Sequence, residues 1–531
     1  MLQYLTLLLD CPVVIAAIFI CGFGGTFQYG FSVSAMTSPS AFIKQLVGEV
    51  CQDRYGVHLQ EWQVSLIWSF LISIYCIGGL LGSLVAAPLV TRLGRKRCLL
   101  LNNFVTIAGA VLMLLSRTAR SFEMIMVARL IYGISSGIGL SAHSIYLVEC
   151  APKRLRGMVG VTVATFASFG KFFAQLLGIS EFFGTPEKWP WLLGFNGLAA
   201  LLQLVTLPFL PESPRFLLLD RGDQQACETA LRKLWGDKDY STEVEEMLEE
   251  KAALEGVRSH SVLELIRNQS LRWQLLTILV GFTGLQLCGI NAVYFYCFEV
   301  FRAAGIQEHQ LRYAALGTGL CECLTSLACF MIIENTGKKV LMLRGYVGMS
   351  VVLILLTITI YFQEHVSWLP YCSMVLVFIF IFWFASGPAG ATAPLPGELF
   401  TQQYKSAAYT IGCTISWLGL FALGMVFPIV EKHLHGFCFL IFLFFCVSCG
   451  LFFKFNVPEI KNCTALQVAA EFQKMHTKQE EPKHMKTDPL TFFTETPSNY
   501  AGVHPVCAAD KTICTHKAEV STCWTNFLQP K

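Results

Sequence analysis

Three stretches of this chain, Val13–Met36, Trp68–Val90 and Leu369–Leu395, run without a single Asp, Glu, Lys or Arg. Each is longer than the ~20 apolar residues with which a helix crosses about 30 Å of hydrocarbon. A soluble fold has no place to bury such runs. Across the 531 residues only 14% are charged and 54% are hydrophobic, whereas soluble domains carry roughly 25% charged residues. The pattern predicts an all-α membrane protein with spans at 12–34, 64–90, 98–116, 122–148, 157–180, 189–210, 273–303, 311–333, 339–362, 368–396, 405–430 and 435–456.

Between the sixth and seventh spans lies a charged linker with amphipathic pieces at Gln224–Trp235 and Thr242–Leu254. The expected organisation is an N-terminal six-helix bundle (1–210), a cytoplasmic linker (211–272), a C-terminal six-helix bundle (273–456) and a disordered cytoplasmic tail (457–531). Basic residues cluster after even-numbered spans: Arg92, Arg95, Lys96 and Arg97, then Lys153, Arg154 and Arg156, then Lys338 and Lys339, then Lys405. Positive loops stay inside, which places those loops and both termini in the cytoplasm. The cell membrane is the default residence.

The two halves repeat one another. Arg92-Leu-Gly-Arg-Lys-Arg corresponds to Asn335-Thr-Gly-Lys-Lys-Val, Glu149 with Arg156 to Glu398 with Lys405, and Pro211-Glu-Ser-Pro-Arg to Pro458-Glu-Ile-Lys, at nearly one offset. Duplicated bundles with charged clusters at one face are the architecture of carriers that rock two halves about a central site. No nucleophile–base set supports an enzyme, and no phosphate-binding loop supports an ATP-driven pump. Neither a cofactor nor a metal site is expected, because the cysteines lie mostly inside apolar stretches and without zinc spacing. A net charge of +3 gives no argument for nucleic acid. The expected partners are the lipid bilayer and a small solute.

Arg129-Leu-Ile-Tyr-Gly, Glu149-Cys-Ala-Pro-Lys-Arg-Leu-Arg-Gly, Pro211-Glu-Ser-Pro-Arg and Gln286-Leu-Cys-Gly-Ile-Asn-Ala-Val-Tyr, in that order, resemble the sugar porters of the major facilitator superfamily. More narrowly they are similar to the facilitative glucose transporters. The class II branch is the nearest in pattern, and Gly317-Thr-Gly-Leu-Cys-Glu-Cys-Leu-Thr is most similar to its member eleven. The resemblance implies twelve spans in two pseudo-symmetric halves and facilitative transport of fructose, glucose or both. The rivals are a proton-coupled symporter, a carrier of a non-sugar such as urate, and a non-transporting sugar sensor.

A hexose exposes five hydroxyls, and burying each without a partner costs roughly 1–3 kcal/mol. The site must therefore offer amides or carboxylates. The mid-membrane polar candidates are Gln175, Gln286, Asn291 and Glu322. The first three match sugar-contacting positions of the resembled family, as does Trp417. A lone membrane amide otherwise serves as helix–helix glue. At 322 the family carries asparagine. The glutamate there is read as a sugar contact, as a structural acid, or as a proton-coupling group. Against coupling, the aspartate of proton-linked members is Ser32 here. Other departures are Leu285, Cys288, Ala385 and Ala393, which imply a pocket less polar in one place and roomier in another.

The resemblance also implies a cytoplasmic gate of ion pairs formed by Arg95, Lys96, Glu149, Arg156, Glu334, Lys338, Lys339, Glu398 and Lys405. A span-seven outer gate is altered to Tyr294-Phe295-Tyr296, and Gly387-Pro388 with Pro394 and Pro396 should break span ten. His143 is expected to be a packed or water-bonded histidine.

Overall fold

The computed structural model describes residues 8–152, 155–236, 240–254, 260–333, 338–459 and 465–476. Its helices are α1 (Pro12–Gly24), α2 (Thr26–Ser34), α3 (Ser40–Tyr55), α4 (Glu61–Leu93), α5 (Arg95–Ser116), α6 (Phe122–Cys150), α7 (Arg156–Leu177) and α8 (Trp189–Thr206). The linker supplies α9 (Gln224–Trp235), α10 (Ser241–Leu254) and α11 (Val262–Arg267). Then follow α12 (Arg272–Leu287), α13 (Ile290–Phe295), α14 (Cys297–Ala303), α15 (Leu311–Ile333), α16 (Lys338–Phe362), α17 (Leu369–Ser386), α18 (Pro388–Thr392) and α19 (Leu395–Leu399). The last three are α20 (Gln402–Leu434), α21 (Cys438–Asn456) and α22 (Ala465–His476).

Each span expected from the sequence coincides with one of these helices or a broken series of them. Among the described residues, nine stretches are long and apolar enough to cross a membrane, and the longest, Gln403–Asn456, holds both α20 and α21. The span-length helices outside that set are α7 and α15, which carry Lys171 and Glu322.

Three spans are interrupted. Span one breaks at Gly25 (φ −112°, ψ −98°) between α1 and α2, where a Cβ would lie 2.9 Å from the ring base of His143. His143 is therefore a packed residue in the crook of the break, fully buried. Span seven breaks at Gly289, whose φ of +102° favours glycine, and again at Tyr296. Span ten breaks at Gly387 as expected. The breaks in spans one and seven were not expected. They coincide with glycines that also admit a close neighbour.

Packing is most extensive between α4 and α6. A Cβ on Gly78, Gly82, Gly133 or Gly137 would overlap the carbonyl oxygens of Leu130, Ile134, Tyr75 and Gly79 respectively. Both helices thus carry glycines four apart on the contact face, so the backbones touch without side chains between them. Helices α5, α6 and α8 complete this packing, and α2 lies along α7. In the second set, α16 packs on α17 and α21, α12 on α20, and α15 on α17. Two seams join the sets, α4 with α20 and α7 with α15. The seams use spans two and five of the first half with spans eleven and eight of the second, as the duplication demands.

Linker helix α9 begins with the Asp223 carboxylate accepting from Ala226 N at 2.9 Å. It docks through Trp235, whose Nε1 donates to Cys150 O at 2.9 Å. The other end of the linker ties to the second half by His260 N donating to Gln403 O at 3.0 Å. One expectation is corrected: within the stretch read as an irregular tail, Ala465–His476 is helical. Val468 and Phe472, one turn apart, are buried, and His476 stacks on Trp273 at 3.8 Å. Two apolar residues on one face sufficed to dock a short helix. Residues 477–531 lie outside the described residues.

Candidate functional site

Facing residues of α7 and α15 build a ladder across the seam. Ser168 Oγ lies 2.9 Å from Ser326 Oγ, Lys171 Nζ donates to Glu322 Oε1 and Oε2 at 2.9 and 3.0 Å, and Gln175 Nε2 donates to Thr318 Oγ1 at 3.1 Å. Positions three or four apart share a helix face, so the three rungs follow from antiparallel register. Two further rungs continue beyond the helix end: Arg312 donates to Ser180, and the Tyr313 hydroxyl donates to Glu181 Oε1 at 2.8 Å. That hydroxyl holds the Glu181 carboxyl below the ordinary carboxylate range.

Two rungs were half anticipated from the sequence, through Gln175 and through Glu322. Glu322 is 7% and Lys171 8% exposed. Ser168 Oγ also donates to Glu322 Oε1 at 3.2 Å, and the ammonium sits 4.1 Å from the Tyr294 ring centroid. A buried charge is tolerated only when paired and hydrogen-bonded, and here both conditions hold. Lys171 was not among the expected site residues. Its signal was available, since it is the one charged residue within 157–180.

Asn291 and Gln286 come together across the Gly289 break, Asn291 Nδ2 donating to Gln286 Oε1 at 2.7 Å. A Cβ on Gly419 of α20 would sit 3.0 Å from Gln286 Cβ, so Gln286 lies against α20. The Trp417 indole crosses the other seam. Its Nε1 donates to Ser83 Oγ at 2.9 Å, and its rings meet Tyr29 and Tyr75 edge-on at 6.1 and 6.0 Å. Trp417→Phe keeps an aromatic face and loses the donor. It is expected to weaken the α4–α20 seam by about 1 kcal/mol, as is Ser83→Ala. The two losses should not add in thermal melts of detergent-solubilised protein.

At the face opposite the basic clusters the halves are joined. Thr37 Oγ1 donates to Tyr294 O at 3.2 Å, and Lys44 Nζ lies 3.3 Å from Glu299 Oε1. The rest of the altered tyrosine motif packs within the second half: Tyr296 donates to Gly424 O and stacks on Phe427 at 5.4 Å.

At the basic face the described ion pairs stay within each half or its linker. Arg95 Nη2 donates to Glu149 Oε1 at 2.8 Å and Nη1 to Asp220 Oδ2 at 2.6 Å. Glu149 also accepts from Ser213 Oγ at 2.5 Å. Arg156 pairs with Glu243 at 3.6 Å, and Lys338 pairs with Glu398. Lys96 Nζ donates to Pro208 O at 2.9 Å and Leu210 O at 2.6 Å, closing the end of α8 where a gate pair was expected. Among the described residues Lys339 and Lys405 form no ion pair, and Glu334 lies outside the described residues. Asp220, Ser213 and Glu243 were not anticipated, because linker carboxylates are too numerous for sequence to single any out.

Arg129, first noticed only as part of a motif, is 1% exposed. It donates to Ser32 O at 2.7 Å, Ile72 O at 3.1 Å and Leu71 O at 3.4 Å, and its guanidinium lies over the Tyr75 ring at 4.5 Å. One planar fork thus ties α6 to α2 and α4.

The arrangement offers amides, an ion pair and an indole along the seams between two helix sets, open to rearrangement at either face. Comparison with known proteins gives a consistent picture. A family model described as "Sugar (and other) transporter" matches residues 17–472. Facilitated glucose transporter member 5 of solute carrier family 2 from Bos taurus is 39% identical over 465 residues, covering 88% of this chain and 93% of that protein. Member 11 from Homo sapiens is 39% identical over 469 residues, covering 88% and 95%. Among solved structures, the inward open conformation of the xylose transporter XylE from E. coli superposes with a TM-score of 0.70 at 19% identity, over 86% of this chain and 99% of that one.

Proposed function

The chain belongs to the sugar transporter family, with the all-helical major facilitator fold, and we propose that it carries a hexose by facilitative uniport and alternating access. The observation that carries this reading is the placement of Gln175, Glu322 and Trp417 on the two seams, with the bonded pair Gln286–Asn291 beside α20. Groups that can hydrogen-bond hydroxyls therefore line the contacts that must change when the halves rock. The basic face is assigned to the cytoplasm, with both termini, in the plasma membrane. Cross-half contacts at the opposite face, and ion pairs kept within halves at the basic face, are what an inward-facing carrier should show.

Fructose, alone or with glucose, is the proposed cargo. Leu285, Cys288, Ala385 and Ala393 replace larger or more polar family residues, which suits a roomier, less polar pocket. The 317–325 stretch supports member eleven as the subtype, while members 5 and 11 match at equal identity. Selectivity must therefore be measured. Uniport is supported by Ser32, which supplies no carboxylate and whose Oγ accepts from Asn196 Nδ2 at 2.7 Å. Glu322, the remaining candidate for coupling, is already paired.

The test is labelled fructose and glucose uptake in cells lacking their own hexose carriers, at acidic and neutral pH, with surface expression matched. Saturable uptake insensitive to pH is expected. Asn291→Ala should lower it roughly tenfold, because a bound hydroxyl or Gln286 is then left without its partner. Acid-stimulated uptake would make the protein a symporter. Absence of flux at normal surface expression would leave a sensor or a carrier of another solute.

A further inference from the structure

We infer that Lys171 is a specificity-determining residue that touches the cargo, and that with Glu322 it selects neutral polyols. This rests on the hexose-carrier reading. The two residues sit on opposite halves, α7 and α15, and each is the other's ion-pair partner, at 2.9 Å. Beyond them toward the opposite face come the Gln175–Thr318, Ser180–Arg312 and Glu181–Tyr313 rungs. Opening that face means unzipping the ladder from its outer end down to the ion pair. An ammonium and a carboxylate then confront each other across a widened cleft, each short of a partner in a setting where a lone charge is costly.

A solute that restores both must donate to Glu322 and accept from Lys171. A hydroxyl does both at once, and two neighbouring hydroxyls divide the tasks between them. An anion meets Glu322 and a cation meets Lys171, so the pair rejects either. Gln175 lies one turn from Lys171 on the same helix, and Tyr294 lies under the ammonium. The charged pair thus extends the amide site instead of forming a separate one. In the inward-facing arrangement the two charges satisfy each other, and the ladder closes again once the cargo has gone.

The experiment is an uptake scan with fructose, glucose and the deoxy analogues of each that lack one hydroxyl. It uses wild type, Lys171→Arg, and two double variants that share Glu322→Gln but carry Lys171→Gln or Lys171→Met. Both doubles remove the charges together, so neither strands a buried ion. They differ only in whether position 171 can donate. The expected result is that deleting one particular hydroxyl lowers uptake about tenfold in wild type and in the glutamine double, and has little further effect in the methionine double. Lys171→Arg, which keeps the ion pair, should alter the penalty for that same hydroxyl. If all analogues scale by one common factor in the doubles and in Lys171→Arg, the contact is overturned and position 171 acts on packing alone. If wild type at the surface moves none of these sugars, the hexose reading itself fails, and the contact fails with it.

Discussion

Lys171→Met is expected to cost the folded protein roughly 3–5 kcal/mol, because Glu322 is then left buried without its counter-ion. Glu322→Gln added to it should return most of that loss. Both side chains are about nine-tenths buried, and the carboxylate's other support comes from neutral hydroxyls, those of Ser168 and Tyr294, which cannot replace an ammonium. A helical membrane protein has only a modest margin to lose, so the single variant should show a much lower melting temperature and a broadened size-exclusion profile. The double variant removes both charges and leaves an amide near Ser168 and Ser326, both able to bond it. A double variant as unstable as the single one would show that the pair matters through packing of the lysine stem, not through charge. Equal stability of the single variant and wild type would mean that water reaches Glu322 freely, contrary to its burial.

That pair also marks where sequence reasoning stopped. Glu322 could be found because an acid at mid-span is expensive and conspicuous. Lys171, the one charge within 157–180, was equally conspicuous, but its register against α15 is a tertiary fact. The spans, the linker helices, the duplication and the span-ten break were legible, since each is written in hydropathy, charge clustering or proline within a short window. Breaks at Gly25 and Gly289 were not, because a membrane glycine serves a kink or a close contact equally well. Of the residues expected at the gate, Arg95, Glu149, Arg156, Lys338 and Glu398 form ion pairs, but their partners were not legible. Arg95 reaches Glu149 and Asp220 while Arg156 reaches Glu243, and which carboxylate a basic residue meets depends on the conformational state as well as on sequence. Arg129 shows the same limit: its three acceptors are backbone carbonyls, which leave no trace in residue identity.

Gly133→Leu should be severely damaging to the first half, and the reason lies in backbone geometry. A Cβ there overlaps Tyr75 O and would approach the Gly78 Cα to 2.8 Å. No rotamer relieves this, since both clashing groups are main chain. Helices α4 and α6 must separate, and separation strains what crosses between them. The Tyr75 hydroxyl donates to Ser136 Oγ at 2.8 Å, and Arg129 reaches Leu71 O and Ile72 O. Overpacking alone costs about 1–3 kcal/mol, and each broken buried bond adds roughly 1 kcal/mol, so the loss consumes much of the roughly 5–15 kcal/mol by which folds are stable. Expression should collapse, with little monodisperse protein after extraction. Gly133→Ala should fall between Gly133→Leu and wild type, because its single methyl already meets the carbonyl. A folded, transporting Gly133→Leu protein would mean that α4 and α6 stand further apart than the structure has them. The glycine ladder would then be incidental to holding the first half together.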